Sequence, residues 1–340
     1  MGKEIQLCLV ASVLAMAFVS VSEAASTLPP ESKQLSRKFY KKPINGTCPN
    51  VETYVNHQVR FYWNLDKSIT AKFLKLLYAD CMVNGCDASI LLDGPQSEKK
   101  ASQNSGLGGF LIIDKIKQVI EERCPGIVSC ADILNLATRD AIHLAGAPSY
   151  PVLLGRRDGY SSQASWVDLP QPSISWEDGL AYFQSKGLDI LDYVTLLGGH
   201  SLGKTHCQYI RDRLYNFKNT GKPDPSMKKS FLNQLRKDCP KERIKGQRDQ
   251  LVYLNPDSGS NYRFTNKFYS RVQTNQAVLG VDQELRYGNI TDEISQEFAK
   301  DFEDLRKSFA LSITRMGVLK VLTGSNGEVR KNCRTQNPKR

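Results

Sequence analysis

Two carboxylates and a hydroxyl group lie close together in the segment 80–89. Oxygen ligands of this kind suit Ca²⁺, which binds carboxylates, hydroxyls and backbone carbonyls. The candidate ligands are the side chains of Asp80, Asp87 and Ser89 and the backbone carbonyls of Val83 and Gly85. The spacing is not that of an EF-hand loop, so a solvated turn is the alternative interpretation.

A single histidine lies among glycines in the apolar segment 197–203. The glycines beside His200 would let a large planar cofactor approach the backbone closely. Neutral imidazole is also a common metal ligand. A lone histidine in an apolar stretch is nevertheless more often a buried structural residue, so the residues by themselves leave both interpretations open.

The N-terminus has the pattern of a secretory signal peptide. Lys3 precedes an apolar run from Leu7 to Val21, and small residues suitable for cleavage follow at Ala24 and Ala25. The run is short for a membrane span, although an N-terminal anchor is the alternative. We therefore predict a signal peptide over residues 1–25 and a secreted single domain over 26–340, without a membrane span.

Removal of Cys8 with the signal peptide would leave an even number of cysteines. In a secreted protein this predicts disulfides rather than a zinc site, and no pair here has CxxC spacing. The spacing alone indicates no pairing beyond a tight loop from Cys81 to Cys86. The eight cysteines are Cys48, Cys81, Cys86, Cys124, Cys130, Cys207, Cys239 and Cys333.

The chain is basic, with a formal net charge of +11. Its lysines and arginines are dispersed in small clusters, at 33–42 and 228–248. For a secreted protein this favours an acidic extracellular polysaccharide over nucleic acid as a partner, and an ordinary solvated surface is an equally good explanation. Two N-x-S/T sequons, at Asn45 and Asn289, predict N-glycosylation.

Helical periodicity dominates the rest of the chain, and the ordinary apolar content excludes a disordered or collagen-like protein. We therefore expect one mainly α domain, with the best strand signal at Tyr150–Leu154. The predicted helices are 51–63, 68–81, 115–123, 131–145, 176–184, 205–217, 227–237 and 293–316.

These motifs, in this order, resemble the secretory plant haem peroxidases, the class III peroxidase family. The resemblance extends from about Phe39 to Arg334. Its landmarks are Cys48-Pro49, the segments 80–93, 124–132, 155–158, 198–200 and 213–217, Asp282-Gln283 and the segment 327–333. The resemblance implies a mainly α fold with haem b between a distal and a proximal half, and H₂O₂-dependent oxidation of phenolic donors by a monomer.

The resemblance also assigns roles to single residues. It makes His200 the axial haem ligand and Asp282 the carboxylate that accepts the other ring N–H, and it places Pro170 at the access for aromatic donors. It identifies the oxygen-rich segment 80–89 as a distal Ca²⁺ site. The implied disulfides are Cys48–Cys124, Cys81–Cys86, Cys130–Cys333 and Cys207–Cys239.

A second, proximal Ca²⁺ site is altered in this chain. By alignment its side-chain ligands would be Ser201, Asp257, Ser260 and Thr265, where the family has two carboxylates. The loss of one carboxylate weakens the attraction for a divalent cation. We therefore predict one bound Ca²⁺, at the distal loop.

The distal catalytic pair of the family is also replaced. Ala79 occupies the position of the histidine that moves protons, and Lys75 occupies that of the arginine that stabilises negative charge. Asn104, which would orient the missing histidine, is retained. A methyl group carries no proton, and an ammonium lacks the planar donor fork of a guanidinium. Loss of positioned acid–base catalysis typically costs about 10²- to 10⁴-fold, so we expect severely impaired peroxide turnover.

Three hypotheses follow from the sequence. The first is a secreted peroxidase with reduced activity. The second is a pseudo-peroxidase that keeps haem and serves as an extracellular or wall-associated binding protein. The third is a scaffold without haem, against which the retention of both His200 and Asp282 argues. Fold by itself does not prove activity.

Overall fold

Helices make up most of the residues that the computed structural model describes, which are 27–338 except 31, 33, 44–46, 244–245, 247 and 258–261. The proposed signal peptide, Asn45 and Ser260 therefore lie outside the described residues. In the described part, the helices are α1 (Val51–Leu65), α2 (Ile69–Cys81), α3 (Phe110–Arg123), α4 (Cys130–Leu144), α5 (Trp176–Ser185), α6 (Ile190–Leu197), α7 (Arg211–Tyr215), α8 (Lys229–Asp238), α9 (Lys267–Gln273), α10 (Gly280–Glu284), α11 (Asn289–Lys300) and α12 (Phe302–Met316). The strands β1 (Lys204–His206) and β2 (Leu251–Tyr253) pair antiparallel, with Thr205 opposite Val252.

Helix α4 lies at the centre of the first half of the chain. Its residues are buried on nearly every side, as expected for a helix surrounded by others. The Ser129 side chain caps its N-terminus by accepting from the backbone N–H of Asp132 at 3.1 Å. Helices α1 and α2 pack against α4, which fixes the position of α2.

A buried ionic network anchors the start of α4. Asp132 accepts hydrogen bonds from the Tyr40 hydroxyl at 2.6 Å, from the Gly155 backbone N–H at 2.7 Å and from Arg156 Nη1 at 2.8 Å. The side chains of Asp132 and Arg156 are essentially inaccessible to solvent. These donors offset much of the cost of burying the carboxylate, although desolvation still raises its pKa.

Four disulfides join distant parts of the chain, and they confirm the pairing that the family resemblance implied. The pairs are Cys48–Cys124, Cys81–Cys86, Cys130–Cys333 and Cys207–Cys239. The bond between Cys81 and Cys86 closes a loop directly after α2. The bond between Cys130 and Cys333 fastens the C-terminal segment to the first residue of α4.

Three predicted elements were wrong. The helix predicted over 205–217 begins instead as β1, because its backbone pairs with β2. A 3₁₀ turn, Cys207–Tyr209, and the short α7 follow. The strand predicted at Tyr150–Leu154 is a single bridge from Leu154 to Ser36, since no further strand lies beside it among the described residues. The helix predicted over 293–316 divides at Asp301, whose side chain caps α12.

A membrane span is not found in the described part of the chain, where no helix is both long and apolar enough to cross a bilayer.

Candidate functional site

A cavity of about 300 Å³ lies between α2 and the segment that follows α6. Its walls are mostly apolar, and His200 contributes to one of them while Lys75 and Ala79 contribute to another. The two walls approach each other closely at one end. Gly203 leaves no room for a side chain there, because a Cβ at this position would lie 2.9 Å from the Ala71 Cβ. The structure therefore brings the predicted proximal and distal residues to opposite walls of one cavity.

The histidine wall is held by the caps and contacts of α6. Asp189 and Asp192 form a capping box at its N-terminus, and Arg315 from α12 bonds to both carboxylates at 2.9 and 3.0 Å. At the other end, the Tyr269 hydroxyl donates to the Val194 carbonyl at 2.8 Å. A fixed helix end is what a cofactor ligand in the next turn requires.

The turn after α6, Gly198–Ser201, carries His200. A Cβ on Gly198 would lie 2.7 Å from the Tyr269 hydroxyl oxygen, so this position has no room for a side chain. At Gly199, by contrast, the nearest atom of the described residues to a Cβ placed there is Leu74 Cδ1, from the facing wall, at 4.0 Å. The glycine thus leaves the space beside His200 open towards α2.

The His200 ring is oriented by Asp282 from α10. Its Nδ1 donates to Asp282 Oδ1 at 2.7 Å, and Asp282 is 1% exposed. Desolvation lowers the pKa of His200, but the charge of Asp282 and this hydrogen bond outweigh it and raise the pKa overall. Because Nδ1 is occupied by the carboxylate, Nε2 is the ring nitrogen left for a ligand.

These residues fit a flat iron-containing group. The site offers one imidazole with a free Nε2, a carboxylate that fixes its tautomer, apolar walls and a glycine that leaves the ring face uncovered. The carboxylate–histidine pair is the usual way in which proteins orient a metal-binding imidazole and increase its basicity. The donor set therefore suits haem with His200 as its protein ligand.

The wall opposite His200 has no imidazole. Ala79 is buried there, and Lys75 lies one helical turn before it on the same face of α2. Lys75 Nζ donates to the Ser105 carbonyl at 3.3 Å. The side chain faces the cavity, and desolvation by the surrounding protein lowers its pKa.

Asn104 contributes to the same wall, and the nitrogen and oxygen of its side-chain amide have different surroundings. Its Nδ2 donates to the Glu98 carbonyl at 2.8 Å, whereas its buried Oδ1 has no hydrogen-bond partner among the described residues. Burial is the main cause that raises the pKa of the Glu98 carboxyl, to about 7. An acceptor that would orient a histidine is thus present, while Ala79 offers nothing to orient.

Two further residues border the cavity. The Tyr78 ring lines it beside Ala79, and desolvation raises the pKa of its phenol above the usual range. Pro170 also lines the cavity. Neither provides a base at neutral pH, because a phenol with a raised pKa stays protonated.

The predicted distal Ca²⁺ loop begins at the C-terminus of α2. Asp80 is fully buried and accepts the Ala88 backbone N–H at 2.9 Å, and Asp87 accepts that of Ser89 at 2.9 Å. Desolvation raises the pKa of both carboxyls, and for Asp80 the charge of Asp87 raises it further. Two desolvated carboxylates in mutual repulsion, beside the Ser89 hydroxyl, fit a bound cation.

The loop carbonyls have other contacts. The Gly85 carbonyl accepts the Asp87 backbone N–H at 2.9 Å, and the Val83 carbonyl accepts from Lys186 Nζ at 3.4 Å. The Lys186 contact has no signal in the sequence, since the two residues are about a hundred positions apart. Across the described ranges, no three His, Cys, Asp or Glu side chains form a metal cluster. The distal loop has only two carboxylates, so a cation there would depend on hydroxyl and carbonyl oxygens as well.

The proximal Ca²⁺ residues are arranged differently. Ser201 is fully buried, Thr265 is partly buried and the Asp257 side chain is 47% exposed. Asp257 pairs with Arg271, a contact that the sequence did not indicate because the two are fourteen residues apart. Ser260 lies outside the described residues.

Comparisons with known proteins agree with this architecture. A family model described as "Peroxidase" matches residues 55–301. The chain is 62% identical over 325 residues to "Probable peroxidase 61" of Arabidopsis thaliana, covering 96% of this chain and 95% of that protein. It is 60% identical to "Probable peroxidase 26" of the same plant, over 91% and 92% of the two chains. It is 41% identical to "Peroxidase 28", also of Arabidopsis thaliana, over 89% and 94%. With the matched helical core, the four disulfides and the histidine–carboxylate pair in one cavity, the chain belongs to the class III plant haem peroxidase family.

Proposed function

We propose that this chain is a secreted, haem-binding peroxidase homologue whose turnover of H₂O₂ is severely impaired. Plant peroxidases generally bind haem and use H₂O₂ with a reducing donor. The single observation that carries the proposal is the wall opposite His200, where Ala79 and Lys75 stand in place of an acid–base histidine and an arginine.

The proximal side of the site supports haem binding. Haem, when bound, would supply the iron at which peroxide is reduced. Asp282 holds the proton of His200 at Nδ1, which keeps Nε2 free and basic. The apolar walls suit the apolar faces of a flat ring system, and Gly199 leaves room for it.

The distal side lacks the group that would move a proton between the two oxygen atoms of the peroxide. The Ala79 methyl neither accepts nor donates one. The Lys75 ammonium can stabilise negative charge on a departing oxygen. It remains tethered to the Ser105 carbonyl, however, and presents one point charge rather than a fork. Activity at least two orders of magnitude below that of an ordinary relative is expected.

The experiment compares the wild type with the double variant Ala79→His/Lys75→Arg. Each protein is loaded with haem, and its absorption spectrum is followed after one equivalent of H₂O₂. The double variant should show a rapid Soret shift and recover much of the missing rate of donor oxidation, whereas the wild type should show a slow shift or bleaching. Donor oxidation by the wild type within about tenfold of an ordinary relative would refute the proposal.

The matched control is Ala79→Leu/Lys75→Arg. Leucine fills a volume similar to that of histidine but carries no proton, so this variant separates acid–base chemistry from filling of the cavity. Recovery in the leucine variant equal to that in the histidine variant would show that volume, not proton transfer, limits the wild type.

The second candidate function is that of a haem protein that binds without turnover. The observation that favours it is the same wall, because the chain keeps the His200–Asp282 pair while the proton-transfer residue is absent. A Soret band that does not respond to H₂O₂, in a protein with one haem per chain, would select this function. Absence of haem from the purified protein would leave only the scaffold hypothesis.

The remaining parts of the proposal concern the environment of the protein. It includes a signal peptide over 1–25, a single domain over 26–340, an extracellular wall location, phenolic donors and one Ca²⁺ at the distal loop. Asn289 is exposed at the first residue of α11, which supports glycosylation there. Mass spectrometry of the secreted protein, before and after glycosidase treatment, tests the cleavage site and both sequons.

The basic surface supports an acidic polysaccharide as a partner. On and beside α8, Lys228, Lys229 and Lys237 are exposed. Retention on a polygalacturonate matrix that falls steeply with added salt is expected, since exposed charges are screened. Elution from this matrix together with a neutral secreted protein of similar size would contradict this partner. The elution volume on gel filtration tests whether the protein is a monomer.

A further inference from the structure

One of the residues that the family resemblance assigns to a second Ca²⁺ is in contact with a positively charged side chain of the same chain, Arg271. Asp257 provides the only carboxylate of the expected side-chain ligands, which otherwise are serine and threonine hydroxyls. Arg271 Nη1 donates to Asp257 Oδ2 at 3.1 Å. The strongest candidate ligand therefore already has a positively charged partner.

Arg271 is held firmly where it makes this contact. It lies on α9 and is only 9% exposed. Its guanidinium lies over the Phe231 ring from α8, 4.6 Å from the ring centroid, a cation–π contact. Helix α9 also packs against the turn Gly198–Ser201 that carries His200. A partly desolvated, stacked guanidinium cannot move away from the carboxylate as freely as a surface lysine can.

The like charges of the two cations disfavour joint occupancy. A guanidinium stays protonated at every physiological pH, so Arg271 is positive whenever the protein is folded. A divalent cation bonded to Asp257 would lie close to that charge and be repelled by it. With Thr265 in place of a second carboxylate, Asp257 is the one negative charge among the expected side-chain ligands.

We propose that Arg271 takes the place of the second calcium ion and ties Asp257 to α9, so that the proximal half is stabilised without a metal. The inference concerns metal content and does not depend on peroxide turnover.

The test asks whether a second Ca²⁺ binds once the guanidinium of Arg271 is removed. The variants are Thr265→Asp, which restores a second carboxylate, and Thr265→Asp/Arg271→Asn, which also removes the charge. Each haem-loaded protein is stripped with a chelating resin, dialysed against CaCl₂, and analysed for calcium per chain by mass spectrometry. The single variant should bind as much calcium as the wild type, and the double variant should bind one Ca²⁺ more.

The matched control is Thr265→Asn/Arg271→Asn, which has nearly the same shape as the double variant but no added carboxylate, and it should gain no calcium. A gain in Thr265→Asp alone would overturn the proposal, because Arg271 would then not exclude the metal. No gain in the folded double variant would overturn it as well, because the missing carboxylate and Arg271 would not account for the lost site.

A second measurement tests the stabilising role directly. In excess chelator, Arg271→Asn should unfold about 2–4 °C below the wild type, while Lys267→Asn, an exposed charge on the same helix, should not. Equal melting temperatures for the wild type and Arg271→Asn would overturn the role of Arg271 as a tether. Both readouts remain informative if the protein proves fully active or wholly inactive with H₂O₂.

Discussion

The His200–Asp282 pair leads to a quantitative prediction for Asp282→Asn. The variant keeps the shape of the side chain and removes its charge. The amide oxygen of the variant can still accept from His200 Nδ1, so the change removes the charge from a 2.7 Å hydrogen bond whose carboxylate is 1% exposed. Hydrogen bonds to charged groups contribute about 1.5–3 kcal/mol and neutral ones about 0.5–1.5 kcal/mol, a difference of about 1–1.5 kcal/mol. At about 1.4 kcal/mol for each tenfold change, haem should bind roughly 5- to 12-fold more weakly.

Haem affinity should also depend on pH, and the direction of the change in Asp282→Asn can be predicted. Protonated His200 cannot bind iron, so haem affinity should fall as the pH drops through the pKa of the imidazole. Asp282 raises that pKa against the opposing effect of desolvation. Without its charge the pKa is lower, and the acid limb of haem binding should therefore move to lower pH even though affinity at neutral pH is weaker.

The assay is transfer of haem to an excess of a haem-scavenging apoprotein, followed by the Soret band across a pH series. Asp212→Asn, which removes an exposed carboxylate on α7, is the control and should match the wild type. Unchanged haem affinity in Asp282→Asn, or an acid limb that moves to higher pH, would refute the reasoning.

Three other perturbations have defined outcomes. Asp132→Ala should lower the free energy of unfolding by about 3–5 kcal/mol in urea titrations, because it leaves Arg156 buried without its partner; a loss below about 1 kcal/mol would contradict this. Gly85→Ala should lower the melting temperature, since its φ is 116° and a Cβ would lie 2.6 Å from the Lys320 carbonyl oxygen; an unchanged value in calorimetry would show that the loop adapts. Chelation of Ca²⁺ should lower the melting temperature more at pH 8 than at pH 5, because the raised pKa values of Asp80 and Asp87 favour their neutral forms in acid; equal losses would contradict a cation between them.

Local signals determined much of the fold. Apolar spacing predicted α1, α2 and α4 to within about two residues at each end, because these helices bury one face or all faces against the same core. Where partners come from elsewhere in the chain, local signals failed. The segment 205–217 has a helical pattern, but pairing with β2, far along the chain, makes its first residues a strand.

The sequence by itself determined which chemical groups are available: His200, Asp282, Ala79 and Lys75 define by their types what the site can bind and which proton-transfer group it lacks. Only the tertiary structure decided how those groups meet, because their contacts join residues about eighty or more positions apart across one cavity. The Arg271–Asp257 pair shows the same limit at shorter range. The effect of a charged residue on metal affinity depends on its distance from the ligands, which only the fold sets. Electrostatic interaction depends on separation and burial rather than on order in the chain.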